Sequence, residues 1–228
     1  MWKYEKKLQY PINITKKDPK LANLIVTQYG GPQGELGAAL RYLNQRYTMP
    51  DAKGRALLTD IGTEELGHVE MICAMIYQLT EGVSKEELMK AGFDTHYVEH
   101  GLDLFPTNAN GINFTTDYIS AVGDPVANLY EDMAAEQKAR TIYENLIDLT
   151  NDPDVIGPLL WLRQREIVHF NLFKDLCDDY MNKGYDKLKN WKKSVFFYDK
   201  VFLFSFSYYV VLSVVIYYVI FIVYNVSI

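Results

Sequence analysis

From Leu21 onward, apolar residues return at intervals of three and four, the period of a helix with one buried face. Leu21, Leu24, Ile25, Leu36, Leu40 and Leu43 carry this spacing as far as about Tyr47, and Gly30, Gly31 and Pro32 interrupt it. The pattern predicts a bent helix, or two helices in series. Pro50 and Asp51 open a second helix that runs to Leu79 through Leu57, Leu58, Ile61, Leu66, Ile72, Met75 and Ile76, and Gly82 stops it. Ser84, with Glu87 three residues on, fits a capping box for a short helix ending near Ala91. Residues 92–115 are rich in Gly, Asn and Pro and lose all period, which predicts a functional or packed crossover rather than a casual connection. Helical spacing resumes from Thr116 to Leu149, with a break at Gly123, Asp124 and Pro125, and Asp152 and Pro153 start a last helix reaching about Met181.

Four long helices and one long crossover describe an all-α chain folded as a ferritin-like four-helix bundle. Two of the helices carry the same chemistry. Glu65 and His68 stand three residues apart in TEELGHVEM, and Glu166 and His169 repeat the spacing in RQREIVHFNLF. Three residues turn a helix by about 300°, so each carboxylate and imidazole project from one face, one turn apart. Carboxylate dimetal bundles use this duplicated Glu-x-x-His motif together with one inward glutamate from each of the other two helices. The first helix offers Glu35 in its interior, within QGELGAALRYLNQR, flanked by small residues that let neighbouring helices approach. The third offers Glu131, Glu136 and Glu144, of which Glu136, beside Met133, Ala135 and Ala139, keeps the most apolar company.

Composition narrows the classes. Lys plus Arg total 23 against 29 for Asp plus Glu, with no basic run before residue 183, which does not suggest a nucleic-acid partner. The two cysteines, Cys73 and Cys177, lie far apart in predicted helices and form neither a disulfide framework nor a zinc-ribbon spacing. The first twenty residues lack an apolar core of signal-peptide length. A donor set of carboxylates and imidazoles suits manganese or iron, and does not choose between them.

The runs GGPQGELGAALRYLNQRY, DIGTEELGHVEMI, GLDLFPTNANG, GDPVANLYEDMAAEQKARTIYENL and LRQREIVHFNLF, spread between about Tyr10 and Met181, resemble the manganese catalase family, in its spore coat type. That resemblance implies two manganese ions per chain, with iron as the alternative. Glu35 and His68 would bind one ion, Glu136 and His169 the other, and Glu65 would bridge both. Glu166 would stand outside the ligand set and exchange protons with hydrogen peroxide. Tyr42 would hydrogen-bond near a ligand carboxylate. The implied reaction is disproportionation of hydrogen peroxide to water and dioxygen. Also implied are a homo-oligomer, in the form of a hexamer, and a cytoplasmic or spore coat location among other coat proteins. A structural coat component of little activity and a di-iron peroxidase or oxidase are the alternative functions.

Three features stand apart from the resemblance. Some manganese catalases carry a basic residue directly before the third-helix glutamate; here that position is Ala135, and Lys138 and Arg140 are the nearby charges that could replace it. His96, Glu99 and His100 spell the inverted zinc-peptidase motif H-x-x-E-H, but they lie in the crossover with no further ligand in view. Finally, residues 1–182 form the expected catalytic domain, and residues 183–228 a basic linker and apolar tail. Lys183 to Lys200 holds six lysines and two aspartates, a local charge of 6 − 2 = +4, and residues 201–228 carry no charge. Length and basic flank fit a membrane-spanning helix, whereas the Tyr, Val, Ile and Phe content also suits strands; a coat-inserted segment and a fortuitous or partner-covered tail are the alternatives.

Overall fold

The computed structural model describes residue 5 and residues 7–185. The chain divides into two compact units, Met1–Lys183 and Gly184–Ile228. The expected membrane contact through residues 201–228 lies outside the described residues. No helix among the described residues is long and apolar enough to cross a membrane.

Among the described residues, eight α-helices follow in order within the first unit: α1 (Pro19–Ile25), α2 (Thr27–Gly30), α3 (Glu35–Gln45), α4 (Ala52–Thr80), α5 (Lys85–Leu88), α6 (Asp94–His100), α7 (Pro125–Ile147) and α8 (Pro153–Asn182). Four of them, α3, α4, α7 and α8, form the bundle. Helix α3 packs mainly on α4, and α7 mainly on α8, each pair being joined by a short connection. Two of the caps, Asp51 and Asp152, are the ones the sequence marks, and Asp124, read there as part of a break, caps α7. Asp51 accepts from the Gly54 amide at the start of α4, Asp124 from Val126 and Ala127 at α7, and Asp152 from Asp154 at α8. The Ser84 and Glu87 capping box is formed as well.

Two stretches depart from the sequence pattern. The first run breaks into three helices: α1 and α2 part at Val26, and Gly30 ends α2 against the crossover, where its amide donates to the Thr107 carbonyl and a Cβ would run into the Pro106 backbone. Residues 116–124, expected to open the third helix, hold only a single 3₁₀ turn, Thr116–Tyr118. Gly123 takes φ of 75° and Asp124 caps the helix behind it, so the helical start falls at Pro125. Conversely, the crossover read as loop contains α6.

The buried face of each bundle helix changes character along its length. On α4, apolar Leu58 and Ile61 give way to Glu65 and His68, then to Met71, Ile72, Met75 and Ile76. On α8, Leu159 and Leu162 precede Glu166 and His169, and Phe173, Leu176 and Tyr180 follow. The core is therefore two apolar clusters, one built around Met71, Met75, Tyr143 and Leu159, the other around Tyr42, Leu58, Leu129 and Phe173, with an ionisable layer between them.

Candidate metal centre

Glu35, Glu65, His68, Glu136, Glu166 and His169 all lie in that layer, each at most 2% exposed. An unpaired buried carboxylate or imidazole costs several kcal/mol, so six such groups need one another or a cation. Glu65 is central. Its two oxygens each lie 2.7 Å from an Nδ1 atom, Oε2 from that of His68 and Oε1 from that of His169. Glu35 approaches His68 Nδ1 at 3.5 Å, and Glu136 approaches His169 Nδ1 at 3.7 Å. Two overlapping groups result: Glu35, Glu65, His68 and Glu166, and Glu65, Glu136 and His169, with donor atoms in each within 4.8 Å of one another. Glu65 belongs to both.

The donors fit a pair of divalent cations. Oε1 of Glu65, Oε2 of Glu136, Oε1 of Glu166 and Nδ1 of His169 are buried without a hydrogen-bond partner among the described residues. Buried lone pairs turned toward one another are what a bound cation offsets. With protein alone around them, protons fill that role. Burial, reinforced by the Glu65 charge, pushes Glu35 up to about 8 and Glu136 up to about 7. Burial and the neighbouring Glu136, Glu35 and Glu65 carboxylates raise Glu166 well above the ordinary range. Burial opposes ionisation of Glu65, but the charges of His68 and His169 outweigh it and hold that carboxyl low.

Two tyrosines tie the carboxylates across the bundle. The Tyr42 hydroxyl, on α3, donates to Glu136 on α7, and the Tyr143 hydroxyl, on α7, donates to Glu35 on α3. Both phenols are wholly buried, and burial raises their pKa well above the usual value, so they remain donors. Tyr143 escaped the sequence reading, although its signal is present: the interval of seven from Glu35 to Tyr42 recurs from Glu136 to Tyr143. Glu64 and Arg165, which directly precede Glu65 and Glu166, were also missed; they form an ion pair with a 2.6 Å contact beside the histidines.

Of the other glutamates considered on the third helix, Glu131 lies 3.7 Å from Lys138, and Glu144 pairs with Arg140 and Arg163. Lys138 and Arg140 are thus engaged on the flank of α7. A narrow pocket reaches the centre between Glu35, Tyr42, Ala135, Ala139 and Glu166, and the basic side chain lining it is Arg41, whose guanidinium donates to the Tyr118 carbonyl at 3.0 Å. The space left by Ala135 is therefore shared with a cation from α3. His96 contacts the Asp103 carbonyl at 2.8 Å and His100 stacks on Phe105 with ring centroids 3.7 Å apart. Neither joins a ligand group among the described residues.

The model of one protein family, described as manganese containing catalase, matches residues 1–184. The chain belongs to that family. Manganese catalases are among its relatives and structural neighbours. It is 57% identical over 178 residues to protein CotJC of Bacillus subtilis, an alignment spanning 78% of this chain and 94% of that protein. It is 35% identical to a probable manganese catalase of Clostridium acetobutylicum, across 82% of this chain and 84% of the other. The crystal structure of KatB, a manganese catalase from Anabaena, superposes with a TM-score of 0.73 at 33% identity, covering 78% of this chain and 80% of that one. The ferritin-like bundle read from four helices and a crossover is thus the fold, and the chain is a manganese catalase.

Proposed function

We propose that the buried layer holds two manganese ions and disproportionates hydrogen peroxide, two molecules giving two of water and one of dioxygen. The observation that carries this reading is Glu65, whose two oxygens face the two histidines at equal distance. Glu35 and His68 would complete one ion's ligands, and Glu136 and His169 the other's. Manganese alternating between divalent and trivalent states would supply the two-electron store that such a reaction needs. Three ionised carboxylates against two divalent ions leave a charge of +1, which favours small anionic ligands at the centre.

The protein's own part is to position and to move protons. Glu166 lies within reach of the first ligand group, yet its burial among three other carboxylates favours a protonated state, which suits a group that lends a proton to a departing oxygen and recovers it from the next peroxide. Tyr42 and Tyr143 orient Glu136 and Glu35 through their hydroxyls. The two apolar clusters exclude bulk water from both sides, leaving the pocket by Arg41 and Ala135 as the approach for a molecule as small as peroxide.

Spore coat residence and assembly into a homo-oligomer, in the form of a hexamer, follow from the resemblance and complete the proposal. A division into a catalytic domain, residues 1–182, and a tail, residues 183–228, is part of the same proposal. Metal analysis of the purified protein beside oxygen-electrode traces tests the chemistry. Manganese with oxygen release on peroxide supports it; iron in place of manganese points to a peroxidase or oxidase, and inert protein to a purely structural coat component.

A further inference from the structure

Glu64 has no place in the ligand set or in the proton chemistry, yet it touches both histidines. It directly precedes Glu65 on α4, so the two carboxylates leave the helix about 100° apart. Glu65 points into the ionisable layer, whereas the Glu64 side chain lies at its margin, 24% exposed. Its Oε1 is 3.5 Å from Nε2 of His68 and its Oε2 is 3.2 Å from Nε2 of His169. Neither contact is aligned as a hydrogen bond, and both Nε2 atoms are buried with no other partner among the described residues. On the opposite edge of each ring, Nδ1 faces Glu65 at 2.7 Å. Two adjacent carboxylates thus flank both imidazoles, one at each ring nitrogen.

Arg165 fixes the outer carboxylate. Its Nε donates to Glu64 Oε1 at 2.6 Å and its Nη2 to Oε2 at 3.2 Å, the forked geometry in which a guanidinium sets the plane of a carboxylate. Arg165 directly precedes Glu166 as Glu64 directly precedes Glu65, so the pair joins equivalent positions of the two Glu-x-x-His segments. An imidazole that gives its Nδ1 lone pair to a cation carries its hydrogen on Nε2. An acceptor beside Nε2 favours that tautomer and aims the ring.

We infer that Glu64, held by Arg165, is a positioning residue that presents Nδ1 of both His68 and His169 to the metal pair. One carboxylate therefore orients both halves of the site. The inference rests on the dimanganese reading of the layer. It is separable from general tightening of the bundle, because Arg163 and Glu144 form an ion pair of similar exposure, at 2.5 Å between α7 and α8, that touches none of the six buried groups.

Manganese titration of the metal-free full-length protein tests it, with circular dichroism as the check on folding. Glu64→Ala should weaken manganese binding roughly 10- to 100-fold, the usual loss when the partner of a ligating histidine is removed. Glu64→Gln, whose amide oxygen still accepts from Nε2–H, should lose less, Arg165→Met should weaken binding, and Arg163→Met should leave it unchanged. Wild-type affinity in folded Glu64→Ala and Glu64→Gln overturns the inference, as does an equal loss in Arg163→Met. Wild-type protein that takes up no manganese overturns the dimanganese reading, and this inference with it.

Discussion

The Tyr143 hydroxyl donates to the carboxylate of Glu35, 108 residues away in the chain and on the opposite helical pair. Tyr42 makes the reciprocal bond to Glu136. Each terminal carboxylate of the centre is therefore oriented by a phenol from the helix that supplies the other carboxylate. Tyr143→Phe keeps the ring in its apolar setting and removes only the donor, so the variant should fold. We expect the loss of orientation at Glu35 to cost about 10- to 100-fold in manganese affinity or turnover. Measured manganese affinity and kcat that both match wild type would show that Glu35 needs no such partner.

Glu166→Gln separates a proton carrier from a ligand. The amide keeps size and polarity but cannot exchange a proton, so two manganese ions per chain should remain while kcat falls by about 10²- to 10⁴-fold. Elemental analysis showing a loss of manganese in this variant would instead place Glu166 among the ligands.

Loading the centre should release protons. In the metal-free protein burial lifts Glu35 to about 8 and Glu136 to about 7, while for His169 the Glu65 charge outweighs burial and lifts it to about 10. Each raised group holds a proton below its pKa and must give it up to bind a cation. Manganese affinity should therefore rise with pH across this range, and calorimetry in buffers of different ionisation enthalpy should register net proton release. Affinity indifferent to pH would contradict the assignment of these groups as ligands.

Much of this was legible in the chain. The doubled Glu-x-x-His motif, the apolar company of Glu136 and the small residues around Glu35 mark the layer because a buried carboxylate needs a proton, a hydrogen-bond donor or a cation wherever it occurs. Helix starts at Asp51 and Asp152 were equally readable, since caps act through neighbours in sequence, whereas Asp124 was read as part of a break inside a helix begun at Thr116. What was not legible depends on contacts between distant segments. Gly30 ends α2 because the crossover backbone lies against it. Glu64 and Arg165 look like a solvated pair of charges until the two segments are laid side by side. Arg41 reaches the pocket beside Ala135 from another helix, where no local pattern could place it.

Asp51 offers a stability test remote from the metal. The Gly54 amide first, then Tyr180 and Lys183, hold its carboxyl at about 2, below its ordinary 3.8. A lowered pKa means stabilisation that is complete above the unfolded value and lost as pH falls through the folded one. Asp51→Ala should cost about 1 kcal/mol at neutral pH. Thermal melts should show the difference shrinking below about pH 4 and vanishing near pH 2; a constant difference would assign the effect to packing alone.

The central claim is one dimetal site bridged by Glu65. Manganese per chain, measured by elemental analysis on wild type and Glu65→Ala purified side by side, tests it most directly. Two manganese ions in the wild type, and a variant that folds but holds fewer and evolves no oxygen from peroxide, is the predicted result. Full manganese content in Glu65→Ala would contradict it.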